Sequence, residues 1–244
     1  VVISSVTASV VARAVFGNIP AFTVPPYSLV SPWEFPLYAL LGVLAALTGL
    51  AFTVVLYRAE DIFDAWKFPE YLKPAAGGLL IGLIGLFLPQ IFGVGYSTME
   101  EALRGRVPFL IMALLLLMKM LATPITIGSG GSGGVFAPSL FLGAMLGGCF
   151  GITVHTLFPT ITAASGAYAL VGMAAVFAAA ARVPITSVLI LFEMTGDYRI
   201  ILPLMLATVI GTFLAERIYG ESIYTLKLRR RGIRLERGRD IDIM

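Results

Sequence analysis

Between Met120 and Ala181 the chain carries no Asp, Glu, Lys or Arg. About a quarter of the residues in a soluble domain are charged, so a run this long must be enclosed by lipid or by other protein. Lipid admits only backbone whose N–H and C=O groups are satisfied within the span. Yet the run is interrupted by Gly128-Ser129-Gly130-Gly131-Ser132-Gly133-Gly134. Glycine disfavours a helix by about 1 kcal/mol relative to alanine. Two ordinary spans would be joined by a polar loop. A charge-free run broken by glycine instead implies a discontinuous, re-entrant arrangement, with irregular backbone shielded by protein or facing a water-filled cavity.

The rest of the chain supports an all-α integral membrane class. Of 244 residues, 58% are hydrophobic and 13% charged, which excludes a water-soluble enzyme of this size and excludes disorder. A single cysteine, Cys149, and a single histidine, His155, leave no disulfide framework and no Cys- or His-based metal site. Neither a metal nor a cofactor is expected. There is no HExxH, no pair of acids within a span and no Ser/His/Asp set, so an enzyme is not expected either. The net charge of +3 does not point to nucleic acid, because seven of the 17 basic residues fall between Lys227 and Arg239. Such a tail reads as the cytoplasmic flank of a membrane helix. The chain opens in an apolar run without Met, which reads as a start within a longer protein.

Spans of roughly 20 apolar residues are predicted at Leu37–Tyr57, at Pro74–Thr98 (ended early by Pro89, Gly93 and Gly95) and at Val107–Ile127. Val1–Phe16 is a shorter apolar helix. After the glycine run come helices at Val135–Phe158, Gly166–Ala181, Pro184–Met194 and Ile200–Tyr219. Several are too short to cross squarely, and short helices meeting near the midplane are how secondary transporters build binding sites. Residues 14–57 hold no Lys or Arg, which places the loop 17–35 outside; residues 58–73 and 98–107 read as charged loops.

The strongest local signal is Gly133-Gly134-Val135-Phe136-Ala137-Pro138 ahead of an apolar helix. A helix N-terminus leaves backbone N–H groups without partners and carries about half a positive charge. That makes an anion site without a charged side chain. Gly133 and Gly134 allow a ligand close to the backbone, and Pro138 suits the first turn. The amides of Val135 and Phe136 are the donors aimed at the ion. Read alone, the motif can also be a helix start after a flexible turn.

With its neighbours, the stretch GSGGSGGVFAPSLFLGAMLGG resembles the CLC family of chloride channels and proton-coupled anion transporters. Gly134-Val135-Phe136-Ala137-Pro138 matches that family's G-x-F-x-P motif, which opens the helix pointing at the central anion. Val171-Gly172-Met173-Ala174-Ala175, Arg182-Val183-Pro184-Ile185-Thr186 with Leu191-Phe192-Glu193-Met194-Thr195, and Ser222-Ile223-Tyr224 also resemble it, in order. The resemblance implies a CLC-type bundle of tilted, broken and re-entrant helices, half of an inverted-repeat fold. It assigns residues 1–16 to the last helix of the first half, 17–35 to an external loop and 36–220 to the second half. Residues 221–231 would form a pore-facing cytoplasmic helix, and 232–244 a cytoplasmic linker toward a possible CBS region. It implies chloride or a similar small anion as the transported ligand, with the Tyr224 hydroxyl beside the amides of Val135 and Phe136. It further implies a homodimer in the bilayer of a bacterial inner membrane, with the C-terminus cytoplasmic and contacts drawn from Val1–Phe16, Pro184–Met194 and Ile200–Glu216. The first-half motifs GSGIP and GREGP have no counterpart in this sequence, so the missing first-half segment of the same protein would supply the rest of the pore wall. Channel and exchanger both remain open. A non-transporting membrane scaffold is the alternative.

Other residues read more than one way. Lys119 either faces a cavity, raising the anion potential there, or snorkels to the interface. Glu193 is expected to be structural, accepting bonds from neighbouring helix ends. Asp197 and Arg199 read as loop charges, Ser129 and Ser132 as spacers, His155 as interfacial, and Cys149 as a small buried side chain. Gly143, Gly147 and Gly151 recur every four residues and predict a smooth face for close helix packing.

Overall fold

The computed structural model describes residues 2–17, 20–230, 232 and 233. Val1, residues 18–19 of the predicted external loop, Arg231 and residues 234–244 of the predicted linker and basic tail lie outside the described residues. Among the described residues, ten α-helices run in order: α1 (Val2–Phe16), α2 (Glu34–Ala65), α3 (Lys73–Phe87), α4 (Tyr96–Leu103), α5 (Phe109–Gly128), α6 (Phe136–Leu157), α7 (Ser165–Ala181), α8 (Pro184–Thr195), α9 (Ile201–Ile218) and α10 (Thr225–Arg230). Single 3-10 turns at Glu70–Leu72 and Pro89–Ile91 flank α3. The described residues contain no strand. The stretches 34–65, 70–87, 109–128, 136–157 and 201–218 are long and apolar enough to cross a membrane, while α1, α7 and α8 are apolar but shorter.

The core is built around α7. Every residue from Gly166 to Ala181 is buried, with α6, α2, α9 and α8 packed around it. Small residues set the approach of α6. A Cβ on Gly151 would lie 2.8 Å from the Ser165 Cα, and a Cβ on Gly143 or Gly147 would run into the carbonyls of Gly172 and Tyr168. The four-residue glycine repeat therefore does face another helix, and contact between backbones replaces contact between side chains. Tyr38 of α2 stacks on Tyr168 of α7 at 4.6 Å between ring centroids. Beside them the fully buried Glu34 accepts from the Tyr168 hydroxyl at 2.9 Å, the Ala163 amide at 2.5 Å and the Val30 amide at 2.8 Å.

Two predicted loops are corrected. Residues 58–65 continue α2 beyond Tyr57, because Arg58-Ala59-Glu60-Asp61 propagates a helix well and its acids meet partners on α10. Residues 96–103 form the helix α4, which buries Thr98, Met99, Ala102 and Leu103; its alternation of polar and apolar residues is too short to stand out in the sequence. Glu193 does not accept from helix ends: it is exposed and pairs with Arg13 at 2.7 Å. Cys149 is half-buried rather than buried, its thiol 3.6 Å from the Phe109 carbonyl. His155 meets the Thr162 hydroxyl at 3.1 Å, and Asp197 accepts from the Arg199 amide at 2.9 Å within its turn.

Candidate functional site

The glycine-rich run closes α5 and turns the chain into α6. The amides of Ser129, Gly130 and Gly131 donate to the carbonyls of Ile125, Ile127 and Thr126 at 2.9 to 3.0 Å, which satisfies the end of α5. Gly130 takes a φ of +91°, open to glycine without penalty. The other side of the reversal is left unsatisfied. Val135 is the N-cap of α6 and no side chain caps it. Among the described residues, the amides of Val135, Phe136 and Ala137 have no acceptor. Pro138, the third helical residue, has no N–H to satisfy. The Phe136 ring sits edge-on to Phe177 of α7 at 5.0 Å, which pins this helix start to the buried core.

In front of these amides lies a cavity of about 860 Å³. Gly133, Gly134, Val135, Phe136, Ala137 and Pro138 line one side of it, and Tyr224, nearly ninety positions later in the chain, lines another. All seven residues singled out from the sequence therefore meet at one cavity. Ser132 also lines it; Ser129 does not, and donates to the Thr126 carbonyl at 3.1 Å instead.

Tyr224 is held by its neighbours rather than by its own ring. The Tyr57 hydroxyl donates to the Ile223 carbonyl at 2.7 Å, and the Ile223 amide donates to the Ala180 carbonyl at 2.9 Å. Arg182, buried at the end of α7 with a φ of +63°, donates to the carbonyls of Tyr219 at 2.6 Å and Glu221 at 3.2 Å. The Ser222 hydroxyl accepts from the amides of Tyr224 and Thr225, so the segment expected as a helix over 221–231 begins as a capped turn and becomes helical at Thr225. Charge pairs then fasten α10 to the end of α2. Arg230 reaches Asp61 through two bonds of 2.6 and 2.9 Å and lies over the Tyr57 ring at 4.7 Å, and Lys227 pairs with Glu60 at 3.3 Å. Burial raises the Tyr224 hydroxyl above the ordinary tyrosine range, so it keeps its proton and stays a donor.

Lys119 resolves toward the cavity. Its side chain is buried, its ammonium donates to the carbonyls of Ile91 at 2.7 Å and Gly93 at 2.8 Å, and it lies 5.1 Å from the Phe141 ring centroid. Lys119 and Thr123 both line the cavity. Sequence reasoning missed Tyr57, Glu60, Lys227 and Thr123. For Thr123 and Thr126 the signal was present, since 119, 123 and 126 recur at helical spacing and make one polar stripe in an apolar span. For the other three, only the tertiary pairing of α10 with α2 identifies them. No group of His, Cys, Asp and Glu among the described residues is arranged to hold a metal ion.

A family model described as voltage gated chloride channel matches residues 1–216. A ClcB-like chloride channel protein of Ralstonia nicotianae is 37% identical over 93% of this chain and 53% of its own length. The H(+)/Cl(-) exchange transporter ClcA of Vibrio campbellii is 33% identical over 94% of this chain and 50% of its own. Among solved structures, a slow cyanobacterial Cl-/H+ antiporter superposes with a TM-score of 0.83 at 29% identity, over 93% of this chain and 53% of that one. The chain thus spans about half the length of the relatives it matches, and it shares its fold with the antiporter structure.

Proposed function

The chain belongs to the voltage-gated chloride channel family, and from that premise we propose that it is the anion-holding half of a multi-pass membrane transporter for chloride or a similar small anion. In this reading the amides of Val135 and Phe136 hold the ion, Tyr224 donates its hydroxyl from the opposite wall, and Gly133, Gly134, Ala137 and Pro138 shape the approach. The protein acts as a transporter and not as an enzyme, and takes no cofactor. The single observation that carries the reading is that three consecutive amides without acceptors open onto a cavity inside an apolar bundle. In such surroundings an orphan N–H is costly, and an anion satisfies several at once. Two relatives named for chloride transport, one as a channel and one as an exchanger, support the choice of ion.

The remaining pore wall comes from a further segment of the same protein, a reading supported by relatives of which this chain spans only about half. The homodimer of this reading is supported by the apolar residues that α8 and α9 leave exposed, such as Ile185, Leu189, Val209 and Phe213. Residues 17–35 face the outside of a bacterial inner membrane and α10 faces the cytoplasm, in keeping with the basic residues Lys227, Arg229 and Arg230.

The test is flux. The complete protein, purified and reconstituted in liposomes, releases trapped chloride when the potential is clamped with an ionophore. Proton uptake that accompanies chloride release identifies an exchanger; its absence identifies a channel. A folded protein that moves no anion, with or without a pH gradient, overturns the transporter reading in favour of a scaffold.

A further inference from the structure

We propose that Thr123 is a further ligand of the anion, and that its hydroxyl biases the site toward charge-dense ions. Several threonines inside the other helices turn their hydroxyls back onto their own backbone, whereas Thr212 in α9 also lacks a partner among the described residues but does not line the cavity. Thr48 donates to Leu44 at 2.9 Å, Thr53 to Gly49 at 2.9 Å, Thr153 to Cys149 at 2.9 Å and Thr195 to Leu191 at 2.7 Å. Thr126, one turn beyond Thr123 on the same helix, donates to Ala122 at 2.8 Å. Thr123 makes no such bond, and its hydroxyl has no partner among the described residues. The residue is 8% exposed, and the surface it retains is on the wall of the cavity that the Val135 and Phe136 amides face. A hydroxyl buried in an apolar span without a partner is costly, and the backbone carbonyl one turn earlier is the usual remedy.

The other polar side chains of the α5 stripe are committed in full or in large part. Lys119 gives two of its protons to Ile91 and Gly93, and Thr126 gives its one to Ala122. Thr123 is the one hydroxyl of this stripe with an uncommitted proton, and it stands on the cavity wall beside Lys119, whose ammonium keeps a third proton. A hydroxyl donor favours ions whose charge is concentrated, because hydrogen bonds strengthen with charge on the acceptor. Chloride therefore gains more from it than iodide or thiocyanate does.

The inference rests on the anion reading of the preceding subsection, and the experiment separates the two. Chloride and thiocyanate binding is measured calorimetrically on the complete protein in detergent, with Thr123→Val and Thr123→Ser beside the wild type. Valine removes a hydroxyl that has no protein partner, so the fold loses no hydrogen bond. Chloride affinity falls about tenfold in Thr123→Val, thiocyanate affinity changes less, and Thr123→Ser stays close to wild type for both. Wild-type binding of chloride with an unchanged affinity in Thr123→Val overturns the role of Thr123 and leaves the amide site standing. So does a serine variant as weak as the valine one, because it retains the hydroxyl. Absence of chloride binding in the wild type overturns the anion reading itself, and this inference with it.

Discussion

Substituting Gly134 by alanine separates binding from folding at the proposed site. A Cβ built at Gly134 meets no atom within 4 Å, and the residue's φ lies outside the left-handed region, so alanine fits the backbone as it stands. Because alanine restricts the unfolded chain more than glycine does, a compatible replacement stabilises by about 0.4–1 kcal/mol. The empty space belongs to the cavity that Gly134 lines, next to the amides of Val135 and Phe136. On the proposed reading the new methyl group therefore narrows the space through which an ion would approach those amides. A hydrogen bond to a charged partner contributes about 1.5–3 kcal/mol, and tenfold in affinity is about 1.4 kcal/mol. Displacing the ion from one amide thus weakens chloride binding by about 10- to 100-fold, while the melting temperature stays level or rises. Both quantities are read from one preparation of the complete protein, by titration calorimetry and thermal denaturation. A Gly134→Ala protein that binds chloride as tightly as the wild type refutes the argument that these amides hold the ion.

Three other substitutions have definite outcomes. Gly147→Ala drives a methyl group into the Tyr168 carbonyl and destabilises by about 1–3 kcal/mol through overpacking, seen as a lower melting temperature. Arg182→Gln removes the donors that hold the carbonyls of Tyr219 and Glu221; hydrogen exchange rises in 219–224 ahead of the rest of the protein, and Arg182→Lys restores part of the protection. Glu100 accepts from Thr23 and Arg104, and the Thr23 hydroxyl leads Arg104 in holding its carboxyl below the usual range. With its folded value depressed, the tether is complete above the ordinary carboxylate pKa of about 4.3 and is lost as pH falls through the depressed value, so exchange protection of the Thr23 amide persists at pH 5, fails under stronger acid, and is weaker and independent of pH in Glu100→Gln.

How much of this was written in the sequence differs by element. The break between α5 and α6 was legible because its physics is local: seven consecutive Gly and Ser residues cannot continue a helix, and Pro138 fits only near a start. The same locality placed Val135 and Phe136 at that start. The inward course of Gly143, Gly147 and Gly151 was legible as a period. Tyr224 was reached only through its resemblance to a family motif, since nothing local sets a Ser-Ile-Tyr turn against a helix start so distant in the chain. Its position depends on contacts from Tyr57, Ala180 and Arg182, which lie on two other helices. The extension of α2 through residues 58–65 was missed because charge was read as loop, whereas Glu60 and Asp61 are held by Lys227 and Arg230.

On the proposed anion reading, the placement of Lys119 accounts for a cavity that attracts an anion without trapping it. A bare ammonium in contact with a dehydrated anion would make release slow, and transport needs binding that is strong enough to admit the ion and weak enough to let it go. Here the ammonium is tied to two carbonyl dipoles at 2.7 and 2.8 Å, whose oxygens offset part of its charge and fix its direction. It contributes to the potential of the cavity without having to touch the ion. In the proposed reading, contact is left to groups with no formal charge: the amides at the start of α6, the Tyr224 hydroxyl and, as inferred above, Thr123. Lys119→Met tests this division of labour. It removes the long-range attraction and leaves the Ile91 and Gly93 carbonyls pointing into the cavity without their donor, so chloride affinity falls; because the contacting groups are untouched, the ranking of chloride over thiocyanate is preserved. A Lys119→Met protein whose anion ranking inverts would place the ammonium in direct contact with the ion and remove the uncharged cradle from the mechanism.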